Sequence, residues 1–179
     1  MNKIVWVMGQ SAAGKETFIK YAVANPDSEL MQQLGYSGSK IISIEESLYL
    51  GDDERIKIVD IALDLISQNT NAIILIKWQY TDNDEHCDNI RRLNAVTPDI
   101  HNEIIMLTVE SDALFARLPN KLWWNENEAA NFSQDKMNQL VEVLRNNIIK
   151  WQGNGLILTA EIDATSGYKI IENSMLKIK

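Results

Sequence analysis

Five short apolar runs, separated by amphipathic stretches, constrain the fold of this chain more than any other feature. Each run is rich in Ile, Val or Leu and is short enough to form a strand that is buried on both faces. The runs cover residues 4–8, 41–44, 72–76, 104–109 and 156–162. Because these runs alternate with helical patterns, the sequence predicts a three-layer α/β fold with a five-stranded, mainly parallel sheet.

The stretches between the runs are predicted to form helices. The clearest is 53–67, which has one apolar face and can use Asp52 or Asp53 as its N-cap. A second covers 133–151, with Ser133 as the N-cap and Gly153 beyond its end. Residues 25–40 are predicted to form a broken helix and a loop. Shorter helices are predicted at 17–23, 85–94, 112–118 and 168–173.

Composition limits the classes of partner. The 179 residues are predicted to form a single domain, 1–179, because no linker suggests a second one. The net charge of -8 disfavours nucleic-acid binding, since general nucleic-acid binders are more often basic. The single cysteine, Cys87, rules out an intrachain disulfide and favours a reducing compartment. No apolar run approaches the roughly 18 residues of a membrane span, so we expect a cytoplasmic protein that does not enter a membrane.

A glycine-rich loop with the spacing G-x-x-x-x-G-K follows the first apolar run. In such a loop the backbone N–H groups and a helix N-terminus point at an anion, and Lys15 adds a charge that can reach the β- and γ-phosphates. The alternative is an ordinary turn between a strand and a helix, with a surface lysine. The predicted phosphate-binding residues are Gly9, Gln10, Ser11, Ala12, Ala13, Gly14, Lys15, Glu16 and Thr17.

With this loop at its N-terminus and five spaced strands, the chain resembles the P-loop nucleoside and nucleotide kinases. Residues 110–118, which end in Arg117-Leu118, resemble the group's helix that follows the fourth strand and precedes a mobile lid, here 117–132. Residues 162–165, at the end of the fifth run and before a predicted helix, resemble its C-terminal unit. Lys15-Glu16-Thr17 is most similar to the adenylate-kinase type, which has glycine at the position of Glu16. The resemblance implies ATP, Mg²⁺ and a small-molecule acceptor, with a nucleoside or nucleotide favoured.

Three departures from the family pattern concern the metal and the loop. Glu16 stands where a hydroxyl usually meets Mg²⁺, and it either contacts the metal through water or faces solvent. Ala12 replaces a common glycine. The third run ends in Lys77, where the family commonly has an acid, and no carboxylate follows until Asp82. The residue that organises the metal is therefore not identified from the sequence.

Glu45 and Arg117 are the predicted catalytic residues besides Lys15. Glu45 follows the second run, at the sheet edge where ligands bind, and can act as the base toward an acceptor hydroxyl. Glu46 is the alternative base, and both can instead favour a helix N-terminus. Arg117, with Lys121, is predicted to close over the transferring phosphate, the alternative being a surface arginine.

Other side chains leave two interpretations open. Arg91 and Arg92 can hold a substrate phosphate or lie on the surface. Trp78 and Tyr80 can stack on a flat acceptor, and so can Trp123 and Trp124 of the predicted lid. The Trp123–Trp124 pair can instead be a packing anchor or a homodimer contact. The favoured function is an ATP-dependent kinase that binds a nucleoside triphosphate and a small-molecule acceptor. The alternative is a nucleotide-binding regulatory or assembly module with little transfer activity.

Overall fold

The computed structural model describes residues 1–44, 57–78, 88–121, 125, 133, 135–136, 138–139, 141–143, 145–146 and 157–171. Six strands lie within these residues. All five predicted strand runs form strands, with no boundary shifted by more than three residues. The strands are β1 (Lys3–Gly9), β2 (Lys40–Ser43), β3 (Ala72–Lys77), β4 (His101–Thr108), β5 (Ile157–Asp163) and β6 (Lys169–Ile171).

Helices connect the strands as the alternating pattern predicts. Described residues 135–136, 138–139, 141–143 and 145–146 are helical and are called α6 here. Ser133 Oγ accepts a hydrogen bond from the Lys136 backbone N–H at 3.2 Å, which confirms the predicted N-cap. No helix within the described ranges is long and apolar enough to cross a bilayer. The other helices are α1 (Lys15–Ala24), α2 (Glu29–Gln33), α3 (Lys57–Gln68), α4 (Asp88–Val96) and α5 (Ser111–Arg117), and a 3₁₀ turn (Leu118–Asn120) follows α5.

The strands form one sheet in the order β2-β3-β1-β4-β5-β6. The first five are parallel to their neighbours, and only β6 runs antiparallel to β5. The carboxyl ends of the parallel strands therefore meet at one edge of the sheet. In an open α/β sheet that edge is where ligands bind, and it is where the glycine-rich loop begins.

Two buried apolar layers cover the two faces of the sheet. On one face, Val5 and Val7 of β1 pack in a cluster that includes Phe18 and Ile19 of α1. On the other face, β1 packs in a cluster that takes in residues of α3 and α4, including Ala62 and Leu93. Alternation along each strand sends successive side chains to opposite layers. The three-layer α/β prediction is thus confirmed.

Two predictions are wrong: the described sheet has six strands and not five, and one predicted helix is a strand. Residues 168–173 were predicted to be a helix, but Lys169–Ile171 form β6 and pair with Asp163, Ile162 and Glu161 of β5. Tyr168 packs its ring 5.3 Å from Phe18 at 81°, which holds this segment against α1. Pairing with an otherwise open sheet edge outweighs the helical pattern of a short segment. The C-terminal unit therefore continues from β5 into a strand.

A buried polar cluster joins the amino ends of the central strands. The Glu103 carboxylate of β4 accepts hydrogen bonds from Lys3 Nζ at 2.7 Å, Tyr36 Oη at 2.8 Å and Thr159 Oγ1 at 2.9 Å. Burial and the negative charge of Glu103 raise the pKa of Tyr36. These groups lie at the sheet edge opposite the glycine-rich loop, so their role is in holding the strands together.

Candidate functional site

The glycine-rich loop connects β1 to α1 through backbone conformations that disfavour side chains. Gly9 has φ 152° and Gly14 has φ 88°, and Ala12, with φ 65°, adopts a left-handed conformation as a residue other than glycine. The left-handed conformation of Ala12 stores strain of about 1 kcal/mol. Ala12, which replaces a glycine common in the resembled family, therefore occupies a position where glycine would adopt the same conformation without strain.

The first turn of α1 faces the loop without a side-chain cap. Gly14 is its N-cap and has no side chain to satisfy the first N–H groups of the helix. Helix N–H groups of this kind, together with the helix dipole, favour an anion. The loop closes on itself through one turn, in which Ala13 N–H donates to Gln10 O at 3.2 Å.

Lys15 is buried inside the loop. Its Nζ donates to the backbone carbonyls of Gly9 at 2.7 Å and Gln10 at 2.8 Å. Burial, and then the charges of Lys77 and Lys121, lower its pKa from 10.5 to about 7. A buried ammonium beside two other cations is short of negative charge. An anionic ligand in the loop would supply it.

Glu16 and Thr17, the last two loop residues, differ in exposure. The partly exposed Glu16 carboxylate forms an ion pair with Lys20 one turn along α1. The hydrogen bond from Lys20 is the main cause of its lowered pKa. Thr17 is exposed and lines the cleft beside the loop. Of the two positions for Glu16 left open by the sequence, the geometry favours a surface ion pair over a group aimed into the loop.

A cleft of about 520 Å³ opens beside the loop. Its walls are the loop at residues 12–14, the end of α5 with the 3₁₀ turn, and the segment 164–168 between β5 and β6. Arg117 fixes two of these walls together, because its Nη2 donates to Ala164 O at 2.8 Å and Thr165 O at 2.7 Å. A Cβ added at Gly14 would lie 3.9 Å from Arg117 Nη1. Arg117 thus lies next to the loop, held by the β5–β6 segment.

Lys77 reaches the loop from the neighbouring strand, and the sequence interpretation did not count it as a site residue. It is the last residue of β3 and pairs in register with Val7 of β1, two residues before Gly9. Burial lowers the pKa of Lys77, which Glu16 opposes. The sequence marks Lys77 only as the residue that ends the third run in place of a common acid, and the pairing of β3 with β1 brings it to the loop.

A second cleft of about 370 Å³ touches the loop at Gln10. It lies between the carboxyl ends of β4 and β5 and the helical residues of α6. Arg145 donates to the buried Glu161 carboxylate at 3.0 Å and to Glu142 at 2.7 Å. The loop therefore borders two clefts, one at residues 12–14 and one at Gln10.

The side chains of the loop itself do not fit a resident Mg²⁺. Magnesium takes oxygen ligands, usually one or two carboxylates with water and phosphate oxygens. Ser11 and Thr17 each offer one neutral hydroxyl, and the Glu16 carboxylate is paired with Lys20. Within the described residues no three His, Cys, Asp or Glu side chains gather as a metal site. Lys15 and Lys77 instead add positive charge at the loop.

Several predicted residues lie elsewhere or outside the described residues. Trp78 is buried, and its ring packs edge-on against Trp6 at 5.1 Å and 87°, so it is a core anchor and not a surface for stacking a ligand. Arg91 and Arg92 are exposed on α4. The following lie outside the described residues: Glu45, Glu46, Tyr80, Asp82, Trp123, Trp124 and most of the predicted lid at 117–132.

The described fold and loop define a three-layer α/β protein with a glycine-rich loop between its first strand and first helix. No protein-family model matches the chain, and no curated protein matches it. Similar solved structures include a sugar kinase from Janibacter sp. HTCC2649, at 16% identity and a TM-score of 0.40, with 68% of each chain covered. They also include APE1195, at 18% identity and a TM-score of 0.41, with 96% of this chain and 82% of that chain covered.

A third similar structure is shikimate kinase from Bacteroides thetaiotaomicron, at 17% identity and a TM-score of 0.35, with 97% of this chain and 91% of that chain covered. The features of this chain that bear on its function are the loop, its lysines and the two clefts.

Proposed function

We propose that this protein binds a nucleoside triphosphate, ATP by resemblance, and transfers its terminal phosphoryl group to a small molecule. The observation that carries the proposal is Lys15, a buried cation held on Gly9 and Gln10 at the start of an uncapped helix. A triphosphate in the loop would give this ammonium a negative partner, which none of the described residues supplies. It would also occupy the first-turn N–H groups of α1.

The cleft beside residues 12–14 is the proposed place of the nucleoside. Its volume of about 520 Å³ is in the range of small-ligand sites. The Arg117 guanidinium, tethered to Ala164 and Thr165, offers a planar cation at the wall of this cleft. That tether supports a role in holding the base or ribose more than closure over the transferring phosphate. We therefore place Arg117 in nucleotide binding, in contrast to the sequence-based prediction.

The second cleft supports transfer to an acceptor. A kinase must bring a second molecule to the phosphate loop, and a second cleft borders the loop at Gln10. Glu45 stays the predicted base, and a nucleoside or nucleotide stays the favoured acceptor. A regulatory binding module is the second candidate, because Lys77 stands where the resembled kinases commonly have an acid.

Loss of the Lys15 charge tests the proposal. Lys15→Ala should lower ATP affinity in calorimetry about tenfold to a hundredfold, because a charge-assisted contact to phosphate is lost. Lys40→Ala is the matched control, since Lys40 is an exposed lysine at the amino end of β2, away from the loop. Equal ATP affinity in both variants would contradict the proposal.

A transfer assay separates the kinase from the module. Labelled ATP is incubated with a pool of nucleosides, nucleoside monophosphates and small phosphorylated metabolites. We expect label to reach an acceptor, and Glu45→Gln to abolish this transfer while ATP binding is kept, since general-base help is worth about 10²–10⁴-fold. Tight ATP binding with no labelled acceptor would favour the module instead.

A further inference from the structure

Three lysines converge on the glycine-rich loop from different elements. Lys15 comes from the loop itself, Lys77 from the end of β3, and Lys121 from the position directly after the 3₁₀ turn. The position of Lys77 is fixed by strand pairing: Val7 is its partner in register, and Trp78 N–H donates to Val7 O at 3.0 Å. Lys77 is thus held at the mouth of the loop by the backbone of the sheet.

Lys77 lies on the face of the sheet that α1 covers. Ile73 and Leu75 of β3 pack in the apolar layer of α1, whereas Ile74 and Ile76 pack in the opposite layer. Alternation along the strand therefore directs Lys77 to the side of α1. Its charge acts on the first turn of that helix, since it lowers the pKa of both Lys15 and Glu16.

We propose that Lys77 is a second phosphate-binding cation, which neutralises triphosphate charge at this loop in place of a divalent metal ion. This inference rests on the proposed function and deepens it. A lysine at the end of β3 supplies a fixed positive charge where an acid would instead attract a metal. Because like charges repel strongly in a partly buried site, Lys15 and Lys77 together disfavour a divalent cation at the mouth of the loop.

The available oxygen ligands agree with this assignment. The Glu16 carboxylate is paired with Lys20, and of the loop's other side-chain oxygens only the Thr17 hydroxyl lines the first cleft. One neutral hydroxyl is a weak ligand set for Mg²⁺. Lysine binds phosphate as a point charge and needs no such ligands. The expected ligand is a free triphosphate, and not its magnesium complex.

The test is calorimetric titration with ATP, once with EDTA and once with excess Mg²⁺. Wild type should bind in EDTA with an affinity within about threefold of that in Mg²⁺. Lys77→Met keeps the apolar stem and should lose about tenfold to a hundredfold in EDTA, with partial recovery in Mg²⁺. Lys77→Arg should retain binding in EDTA. Lys40→Met, at the opposite sheet edge, is the control and should match wild type.

Two results would overturn the inference. One is a wild-type affinity that falls more than about tenfold on removal of Mg²⁺. The other is a Lys77→Met variant that binds ATP in EDTA as well as Lys40→Met does. If methionine disturbs the fold, a folded Lys77→Arg variant that loses binding in EDTA would also overturn the inference. Failure of the proposed function looks different, since ATP would then bind under neither condition. Binding that needs Mg²⁺ and Lys15, but not Lys77, removes this inference alone.

Discussion

At the residue scale, the buried positive charge of Lys15 is only weakly compensated by its hydrogen-bond partners. Two backbone carbonyls accept its hydrogen bonds, but neither carries a full negative charge. Burial and two neighbouring lysines consequently lower its pKa to about 7. Bound phosphate would favour the charged form and raise this pKa again. The protonation of Lys15 and the binding of an anion are therefore linked.

This linkage predicts a pH dependence of ATP affinity. Above about pH 7 the free protein loses the Lys15 proton, so binding must take a proton up, and affinity should fall by up to about tenfold per pH unit. The measurement is the dissociation constant between about pH 7.5 and 9, where the triphosphate is fully ionised. Proton uptake can be read from titrations in buffers of different ionisation enthalpy. Lys15→Arg stays charged and should give a flatter profile. Parallel profiles for the two proteins would contradict the prediction.

At the scale of elements, the loop depends on the close approach of β1 to β4. Gly9 ends β1, and a Cβ added there would lie 2.7 Å from the backbone oxygen of Leu107 in β4. Backbone atoms in a central strand cannot move aside cheaply. This contact, more than the freedom of the loop, requires glycine at position 9.

Gly9→Ala should therefore destabilise the protein and weaken ATP binding. We expect a loss of about 3 kcal/mol in unfolding free energy, from the clash and the unfavourable φ together. Gly35→Ala is the matched control, because Gly35 has φ 72° with no atom within 4 Å of an added Cβ. It should cost about 1 kcal/mol and leave binding unchanged. Urea unfolding and ATP titration measure both, and equal losses for the two variants would contradict this account.

At the scale of the whole molecule, the two ends of the parallel strands have different roles. The loop, the lysines and the clefts lie at the carboxyl ends. The Glu103 cluster lies at the amino ends and ties β1, β4 and β5 to Tyr36 in the segment after α2. A buried carboxylate with three donors stabilises only while all partners are present.

Glu103→Ala should lower the unfolding free energy by about 3 kcal/mol, since it leaves Lys3, Tyr36 and Thr159 without their acceptor. Folded Glu103→Ala should bind ATP as wild type does, because the cluster lies at the edge away from the loop. Glu16→Ala is the stability control: it breaks a partly exposed pair on α1 and should cost about 0.5 kcal/mol or less. Thermal and urea unfolding compare the two. A large loss of ATP affinity in folded Glu103→Ala would show that the edges are coupled.

The sequence by itself determined the features that depend on local pattern. Runs of β-branched and aliphatic residues indicated five strands, because strands buried on both faces need unbroken apolar stretches. The spacing of Gly9, Gly14 and Lys15 placed the loop between a strand and a helix, and the hydroxyl of Ser133 marked a helix start that the structure confirms. Each of these signals lies within a few residues of its effect.

Only the tertiary structure decided which distant segments meet. Strand order brought Lys77 to the loop, and pairing with β5 turned a predicted helix into β6. Packing against Trp6 buried Trp78, and two carbonyls some fifty residues away fixed Arg117. Hydrogen bonding between strands and burial of side chains depend on partners far along the chain. Local periodicity does not indicate which distant residues are those partners. The excess of positive charge from Lys15 and Lys77 at the loop therefore follows from the tertiary structure alone.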